Sequence, residues 1–150
     1  MYMEIEIISW TKKDLTLCIS FCKQSWSEWW DNNYILATEH IERAITHQHI
    51  LIAKKDGVGI GYLLRGILRN KLHIQDIFIL PEYRNLHCGK SLLEQLISIG
   101  KEWRYDEIIS DCDVSNADSL SFHLKCWFSC CWTIKEYWDE EDSHVLSLKL

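Results

Sequence analysis

Alternating strand and helix patterns predict an α/β (α+β) fold. We expect a mixed central β-sheet flanked by helices, with elements in the order β-α-α-β-β-β-α-β-α-β-β. Short runs of β-branched and aromatic residues, such as Leu72–Leu80, alternate with amphipathic stretches of helical spacing, such as Gly89–Arg104. No repeat, low-complexity tract or Gly/Pro/Ser-rich linker divides the 150 residues. We therefore expect a single domain over residues 1–150.

The first half of the chain predicts one strand, two helices and a β-hairpin. Apolar residues recur at helical spacing in both helical stretches. Asp56-Gly57 separates two β-rich runs and is a strong signal for a two-residue hairpin turn. In chain order, the predicted elements are Met3–Ile8, Lys12–Trp30, Tyr34–His47, His49–Lys54 and Gly59–Arg69.

The second half predicts four strands and two helices. Pro81 ends the most strand-like stretch of the sequence, and the amphipathic helix after it presents Leu92, Leu93 and Leu96 on one side. An acidic turn, Asp139–Asp142, separates the last two strands. In chain order, the predicted elements are Leu72–Leu80, Gly89–Arg104, Glu107–Asp111, Ala117–Trp127, Trp132–Trp138 and His144–Leu150.

Composition and charge exclude several classes of protein. With 16 Lys and Arg against 22 Asp and Glu, the net charge of −6 argues against a nucleic-acid binder and suits a cationic or neutral partner. No apolar run reaches the length of a membrane span, and the amino terminus lacks the features of a signal peptide. We therefore expect a cytoplasmic protein that binds neither membrane nor nucleic acid.

The seven cysteines are expected to be reduced thiols in such a compartment. The group that most resembles a metal site contains His123, Cys126, Cys130 and Cys131. It lacks the paired C-x-x-C spacing of a structural zinc site, so we expect no metal.

The connection between Leu80 and Leu92 has the features of a phosphate site. A strand ends at Pro81 and a short loop feeds a helix, whose first N–H groups are unpaired and carry the positive end of the helix dipole. Gly89 allows a ligand to approach the backbone, and Arg84 and Lys90 add positive charge. The alternative is a plain strand–loop–helix connection with solvated basic residues.

Two motifs resemble the GNAT superfamily of N-acetyltransferases. Asp76–Arg84, followed by Asn85–Gly89, is similar to that family's D-I-F-V-x-P-E-Y-R strand and R-x-x-G-x-G loop. Asn116–Phe128 is similar to its N-x-x-A-x-x-F-Y-x-x-x-G-F motif. The sequence departs from the family pattern at three positions: His87 and Trp127 replace glycines, and His123 replaces a frequent tyrosine.

Within the superfamily, the sequence most resembles the aminoglycoside 6'-N-acetyltransferases. Ser110-Asp111-Cys112 and Asn116 match their spacing, and His123 falls on a histidine of their second motif. Trp26 matches a tryptophan near the end of their first helix, whereas Gln75 stands where they often have a glutamate.

The resemblance implies that acetyl-CoA is the acyl donor. Backbone groups of the strand segment are expected to contact its pantetheine arm and thioester, and the loop amides to hold its pyrophosphate. Asn116 would bond the cofactor arm, cap the following helix, or do both. The expected cofactor-binding residues are Ile77, Phe78, Ile79, Arg84, Asn85, Leu86, His87, Cys88, Gly89, Lys90 and Asn116.

Three residues are candidates for proton transfer. Asp76 and Asp111 lie at or near the ends of predicted central strands, where a carboxylate can attract an ammonium group and accept its proton. The alternative is that each caps a neighbouring loop. His123 is a candidate donor to the departing thiolate, since histidine titrates near neutrality, or is a structural histidine.

The expected acceptor is a primary amine of a small cationic molecule, aminoglycoside-like or polyamine-like, acetylated by direct transfer. Trp26, Gln75, Asp111 and Glu136 are the candidate substrate residues, because aromatic faces with nearby carboxylates suit a cation. Two alternatives stay open: a GNAT-fold sensor or interaction module that binds acyl-CoA weakly, and an acetyltransferase of proteins or peptides. The resemblance also allows a homodimer.

Overall fold

The computed structural model describes residues 4–9, 12–25, 38–138 and 140–150. Short 3-10 turns lie at Lys12–Asp14 and Pro81–Tyr83, each before a helix. The strands are β1 (Glu6–Ser9), β2 (Ile50–Lys55), β3 (Val58–Leu68), β4 (Lys71–Ile79), β5 (Glu107–Asp113), β6 (Ser129–Trp138) and β7 (Glu141–Lys149). The helices are α1 (Leu15–Ser25), α2 (residues 38–46), α3 (Cys88–Glu102) and α4 (Ala117–Lys125).

The strands form one mixed seven-stranded sheet in the order β1-β2-β3-β4-β5-β7-β6. The pairs β1–β2, β2–β3, β5–β7 and β6–β7 are antiparallel, whereas β4 and β5 pair in parallel at Leu72–Ile74 and Ile108–Ser110. The predicted fold class and element order are confirmed. The last hairpin is tighter than predicted, because β7 begins at Glu141 and not at His144. Strand β6 ends at Trp138 as predicted and begins three residues earlier, at Ser129.

The turn between β2 and β3 has the predicted form. Asp56 and Gly57 both have positive φ, 51° and 78°, as a type I′ turn requires. The register pairs Lys55 with Val58 across the turn and reaches Ile50–Leu64 at the other end.

Three helices end in the same way without a glycine. The residues Gln48, Arg104 and Trp127, which follow α2, α3 and α4, have φ of 57°, 60° and 71°. After α4, the Phe128 N–H donates to the carbonyl oxygen of His123 and the Trp127 N–H to that of Leu124, which is a Schellman motif. The same pair of bonds closes α2 and α3. The predicted helices extended one or two residues beyond these observed ends, to His47, Arg104 and Trp127.

The chain divides into two compact units, and the first comprises Met1–Gly66 and Asp76–Leu96. Its core consists of buried side chains from α1, α2 and the strands. The buried members with the least exposure include Cys18, Phe21, Cys22, Ile41, Ile50, Ile52, Tyr62 and Leu64.

The second unit comprises Ile67–Gln75 and Ile97–Leu150. Leu72, Ile108 and Leu146 are fully buried in it, and Leu72 and Leu150 pack against Gly100 of α3. The Glu107 carboxylate accepts bonds from Lys71, Ser147 and Lys149 at the start of β5. None of the helices in the part of the chain that the structure describes has the length and hydropathy of a transmembrane helix.

Candidate active site

The end of β4 lies against β3 without room for a side chain between them. A Cβ atom on Gly61 would lie 2.6 Å from the carbonyl oxygen of Phe78 and 2.5 Å from Ile79 Cδ1. The Leu80 N–H donates to the Ile60 carbonyl oxygen at 2.9 Å. Glycine at position 61 therefore fixes where the backbone of the predicted thioester-binding segment, Ile77–Ile79, runs.

The loop after β4 connects this strand to the amino terminus of α3. The 3-10 turn closes through the Tyr83 N–H, which donates to the Leu80 carbonyl oxygen at 2.9 Å. The first helical bond of α3 runs from the Ser91 N–H to the His87 carbonyl oxygen, so the N–H groups of Cys88, Gly89 and Lys90 have no acceptor within the helix. Such a turn can bind an anionic phosphate.

Two residues of this loop have left-handed backbones. Asn85 and His87 have φ of 61° and 63°, a region that favours glycine. His87 occupies a glycine position of the family motif, and its φ explains the preference for glycine there. The histidine keeps the backbone shape and leaves its exposed side chain beside the helix start.

The basic and thiol side chains of the loop have defined contacts. Arg84 Nε donates to the Ile79 carbonyl oxygen at 2.9 Å, and its guanidinium lies 5.6 Å from the centre of the Phe78 ring. Lys90 is exposed and pairs with Glu94 at 3.8 Å. The buried Cys88 thiol donates to the Tyr83 carbonyl oxygen at 3.4 Å. Arg84 and Cys88 thus hold the loop against β4 and the 3-10 turn.

The Asp76 carboxylate is bound between α1 and β3. Oδ1 accepts a hydrogen bond from Ser25 Oγ at 2.8 Å, and Oδ2 accepts one from the buried Tyr62 hydroxyl. Burial raises the pKa of Asp76 to about 6, although the bonds from Tyr62, Ser25 and the Ile77 N–H oppose this rise. Both oxygens are therefore occupied by contacts within the fold.

The Asp111 carboxylate pairs with a histidine that the sequence reasoning missed. His73 Nε2 lies 3.0 Å from Asp111 Oδ1, and each side chain keeps about a fifth of its surface exposed. The parallel pairing of β4 and β5, in which His73 faces Ile109, places the two residues on the same face of the sheet. A polar residue inside an apolar strand, Leu72–Ile74, was the signal that could have identified His73.

His123 on α4 and Asn116 at its N-cap have hydrogen-bond partners within the fold. His123 is 1% exposed, its Nε2 lies 2.8 Å from Ser110 Oγ and its Nδ1 lies 2.7 Å from the Ser119 carbonyl oxygen. Burial lowers the pKa of His123. Asn116 Oδ1 accepts from the Ser119 N–H at 3.0 Å and so caps α4. The capping expectation for Asn116 is confirmed, and His123 has the contacts of a structural histidine.

The predicted substrate residues that the structure describes lie on three different strands. Trp26 lies outside the described residues. Gln75 is exposed on β4, and Glu136 is exposed on β6, where its N–H donates to Asp142 Oδ1 at 3.0 Å. Asp111 lies near other carboxylates. Burial raises the pKa of Asp113, and the negative charges of Glu141 and Asp111 raise it further.

Comparisons with known proteins identify the family of the chain. The profile of the Acetyltransferase (GNAT) family matches residues 17–128. An N-alpha-acetyltransferase of Sulfurisphaera tokodaii is 25% identical over 131 residues, which are 78% of this chain and 77% of that protein.

Solved structures share the fold over nearly the whole chain. The PaiA N-acetyltransferase of Thermoplasma acidophilum, in complex with coenzyme A, superposes with a TM-score of 0.80 at 23% identity, over 99% of this chain and 100% of that one. Arabidopsis thaliana Naa50, bound to the bisubstrate analogue CoA-Ac-MVNAL, gives 0.79 at 18% identity, over 97% and 99%. The chain therefore belongs to the Acetyltransferase (GNAT) family and is an N-acetyltransferase that uses acetyl-CoA as its acyl donor.

Proposed function

We propose that His73 and Asp111 form the proton-accepting pair of this N-acetyltransferase, and that the acceptor is a primary amine of a small cationic molecule. The observation that carries the proposal is the 3.0 Å contact between His73 Nε2 and Asp111 Oδ1. A carboxylate in this position holds the proton on Nε2, so that the Nδ1 lone pair is the base. Asp111 then also stabilises the imidazolium that forms.

The reaction is a direct transfer. The acceptor arrives as an ammonium ion and loses its proton to His73 Nδ1, and the neutral amine attacks the thioester carbonyl carbon. The new C–N bond forms as the C–S bond breaks. The nitrogen of the new amide gives up its second proton to water, and the CoA thiolate leaves and takes a proton from water. The transfer is fastest when donor and amine are held in attack geometry.

The donor is held by the segments predicted from sequence. We assign the thioester and pantetheine arm to the backbone of Ile77–Ile79, and the pyrophosphate to the loop and first turn of α3, Arg84–Lys90. The N–H groups of Gly89 and Lys90, which have no acceptor within the helix, support this assignment. The family resemblance of Asn116 supports a contact with the cofactor arm in addition to its cap.

Two predicted catalytic residues take no part in this proposal. A proton donor to the thiolate must reach solvent or substrate, and His123 is 1% exposed with both ring nitrogens in contact with protein atoms. The Asp76 oxygens accept from Ser25 and Tyr62. We assign both residues to positioning the elements that carry the site.

The acidic surroundings of Asp111 support a cationic acceptor. Asp111, Asp113 and Glu141 are close enough for their charges to raise the pKa of Asp113. Such a group of carboxylates attracts polyamine-like or aminoglycoside-like molecules more strongly than a neutral amine. The net charge of the whole chain has the same sign.

A second candidate acceptor is the α-amine of a peptide or protein. The name of the Sulfurisphaera tokodaii relative, an N-alpha-acetyltransferase, favours it. The proton-accepting pair would serve this amine in the same way, so the two candidates differ in acceptor and not in chemistry.

Release of CoA thiol, followed with purified protein and saturating acetyl-CoA, tests both parts. A panel of polyamines, aminoglycosides and short peptides with free amino termini ranks the acceptors by kcat/KM. Turnover of peptides alone would replace the small cationic acceptor by the second candidate.

The proton-accepting pair is tested with the best acceptor of that panel. We expect His73→Gln to lower kcat/KM by about 100-fold to 10,000-fold, the usual worth of a general base. Asp111→Asn should lower it as well, and the double variant should lose little beyond His73→Gln, because the two residues act as a unit. His47→Gln, at an exposed histidine after α2, is the matched control. Undiminished turnover in both single variants would refute the pair.

A further inference from the structure

The cysteines of the described chain differ in access. The thiols of Cys130 and Cys131, adjacent on the edge strand β6, are exposed. Burial raises the pKa of four other thiols, which makes them poor nucleophiles. These four are Cys18, Cys22, Cys88 and Cys112.

An imidazole lies beside one of the two exposed thiols. Cys130 Sγ is 3.6 Å from His144 Nδ1 on β7, and the Thr133 hydroxyl lies 3.1 Å from the same nitrogen. The other contact of the Cys130 thiol is the carbonyl oxygen of Trp132, at 3.7 Å. In the tautomer that carries its proton on Nε2, His144 Nδ1 has a lone pair beside the Cys130 thiol, and such a nitrogen can take the thiol proton.

The neighbouring thiol lacks such a base. The register of the β6–β7 pair shifts between Cys130 and Trp132, so Cys131 is the extra residue of a bulge. Its thiol donates a hydrogen bond to the Val145 carbonyl oxygen at 3.4 Å. A carbonyl oxygen is too weak a base to remove the thiol proton. The chain thus carries two exposed thiols in sequence, one beside an imidazole and one beside a carbonyl.

We propose that Cys130, with His144 as its base, is a site of thiol–disulfide exchange with small disulfides such as glutathione disulfide. The exchange uses neither acetyl-CoA nor the pair of His73 and Asp111.

The exchange needs no reactant beyond the disulfide. His144 Nδ1 takes the proton of Cys130, and the thiolate attacks one sulfur of the disulfide. A new S–S bond joins Cys130 to one half of the disulfide as the original S–S bond breaks. The other half leaves as a thiolate and takes the proton back from the imidazolium. The protein thiol is oxidised, and half of the disulfide is reduced to a thiol.

The experiment exposes the full chain to glutathione disulfide, blocks the remaining thiols by alkylation at successive times, and locates adducts by peptide mass spectrometry. We expect the adduct on Cys130 to form at least about 10-fold faster than the adduct on Cys131. Cys131→Ser should keep the fast adduct, and Cys130→Ser should lose it. Equal rates at the two thiols would overturn the proposal.

Two further variants test whether the reactivity of Cys130 depends on His144 or on the exposure of the thiol alone. His144→Gln and His144→Asn remove the imidazole, and each should slow the Cys130 adduct to the rate of Cys131. Circular dichroism of both variants shows whether β7 is intact, and a folded variant with an unchanged Cys130 rate would overturn the role of His144. Reduction with excess thiol should restore the original mass, because the adduct is a disulfide.

Discussion

Asp76→Asn should remove a pH dependence of folding stability that the wild-type chain carries. The folded-state pKa of Asp76 is about 6, against 3.8 for a free aspartate, with burial as the main cause. Between these two pH values the folded protein binds a proton that the unfolded chain has lost. The free energy of unfolding therefore falls as pH rises through this window, and the full loss is roughly 3 kcal/mol above about pH 7.

Asparagine has the shape of aspartate but does not ionise, so the variant should lack this loss. The hydroxyls of Ser25 and Tyr62 can rotate to accept from its amide, which limits the cost of the substitution. Measured at about pH 4.5, the wild type should be the more stable protein or equal to the variant. At about pH 8, the difference should have moved toward the variant by up to roughly 3 kcal/mol.

Urea unfolding followed by far-ultraviolet circular dichroism, at steps of pH over that range, gives this difference. Taking the difference between wild type and variant cancels the titration of groups that do not interact with Asp76. Ser25→Ala is the companion variant: it removes a donor that favours the ionised carboxylate, so the folded-state pKa of Asp76 should rise and the fall in stability should continue to higher pH. A difference that stays constant with pH, or that favours the wild type as pH rises, would refute the reasoning.

Three further substitutions test the loop, the strand contact and the charged network. His87→Gly should raise the melting temperature of the unliganded protein, because a left-handed histidine costs about 1–2 kcal/mol and the added flexibility of glycine returns only part of that; a lower melting temperature would contradict the assigned backbone. Gly61→Ala should weaken acetyl-CoA binding in calorimetry and cost about 1–3 kcal/mol of stability, since its Cβ would lie 2.6 Å from the Phe78 carbonyl oxygen; unchanged affinity would contradict the role of this contact. In Glu107, the bond from Lys71, with those from Ser147 and Lys149, lowers the pKa to about 2. The stability that this carboxylate contributes is thus present above pH 4.5 and lost as pH falls toward 2, so an acid titration of Glu107→Gln should lack this part of the wild-type loss.

Sequence patterns were sufficient for the element order, because periodicity and turn chemistry are local. Asp56-Gly57 predicted its hairpin since few residue pairs adopt two successive positive φ angles. The helix ends were less accurate, because the residues that close them, Gln48, Arg104 and Trp127, do not have the glycine signal of such a position.

Local motifs could predict only those parts of the candidate site that lie in one continuous segment of the chain. The loop from Arg84 to Lys90 could be named as a candidate phosphate site because strand, loop and helix start are contiguous in the chain. The contact between His73 and Asp111 was not, because it depends on a parallel register between β4 and β5 that no local pattern specifies. The burial of His123 against Ser110 is likewise a tertiary property, and sequence spacing alone left its role open.

The three helix ends that close without glycine are positions where a substitution could make the protein more stable. Trp127 combines a φ of 71° with 85% exposure of its side chain, so its backbone is strained and its indole is largely hydrated. Arg104 and Gln48 hold the same strained geometry at exposed positions. Glycine at these three sites would relax the backbone at no cost to a buried contact. Natural chains commonly retain such unoptimised positions, and here they offer an engineer stabilising changes outside the proton-accepting pair and the cofactor loop.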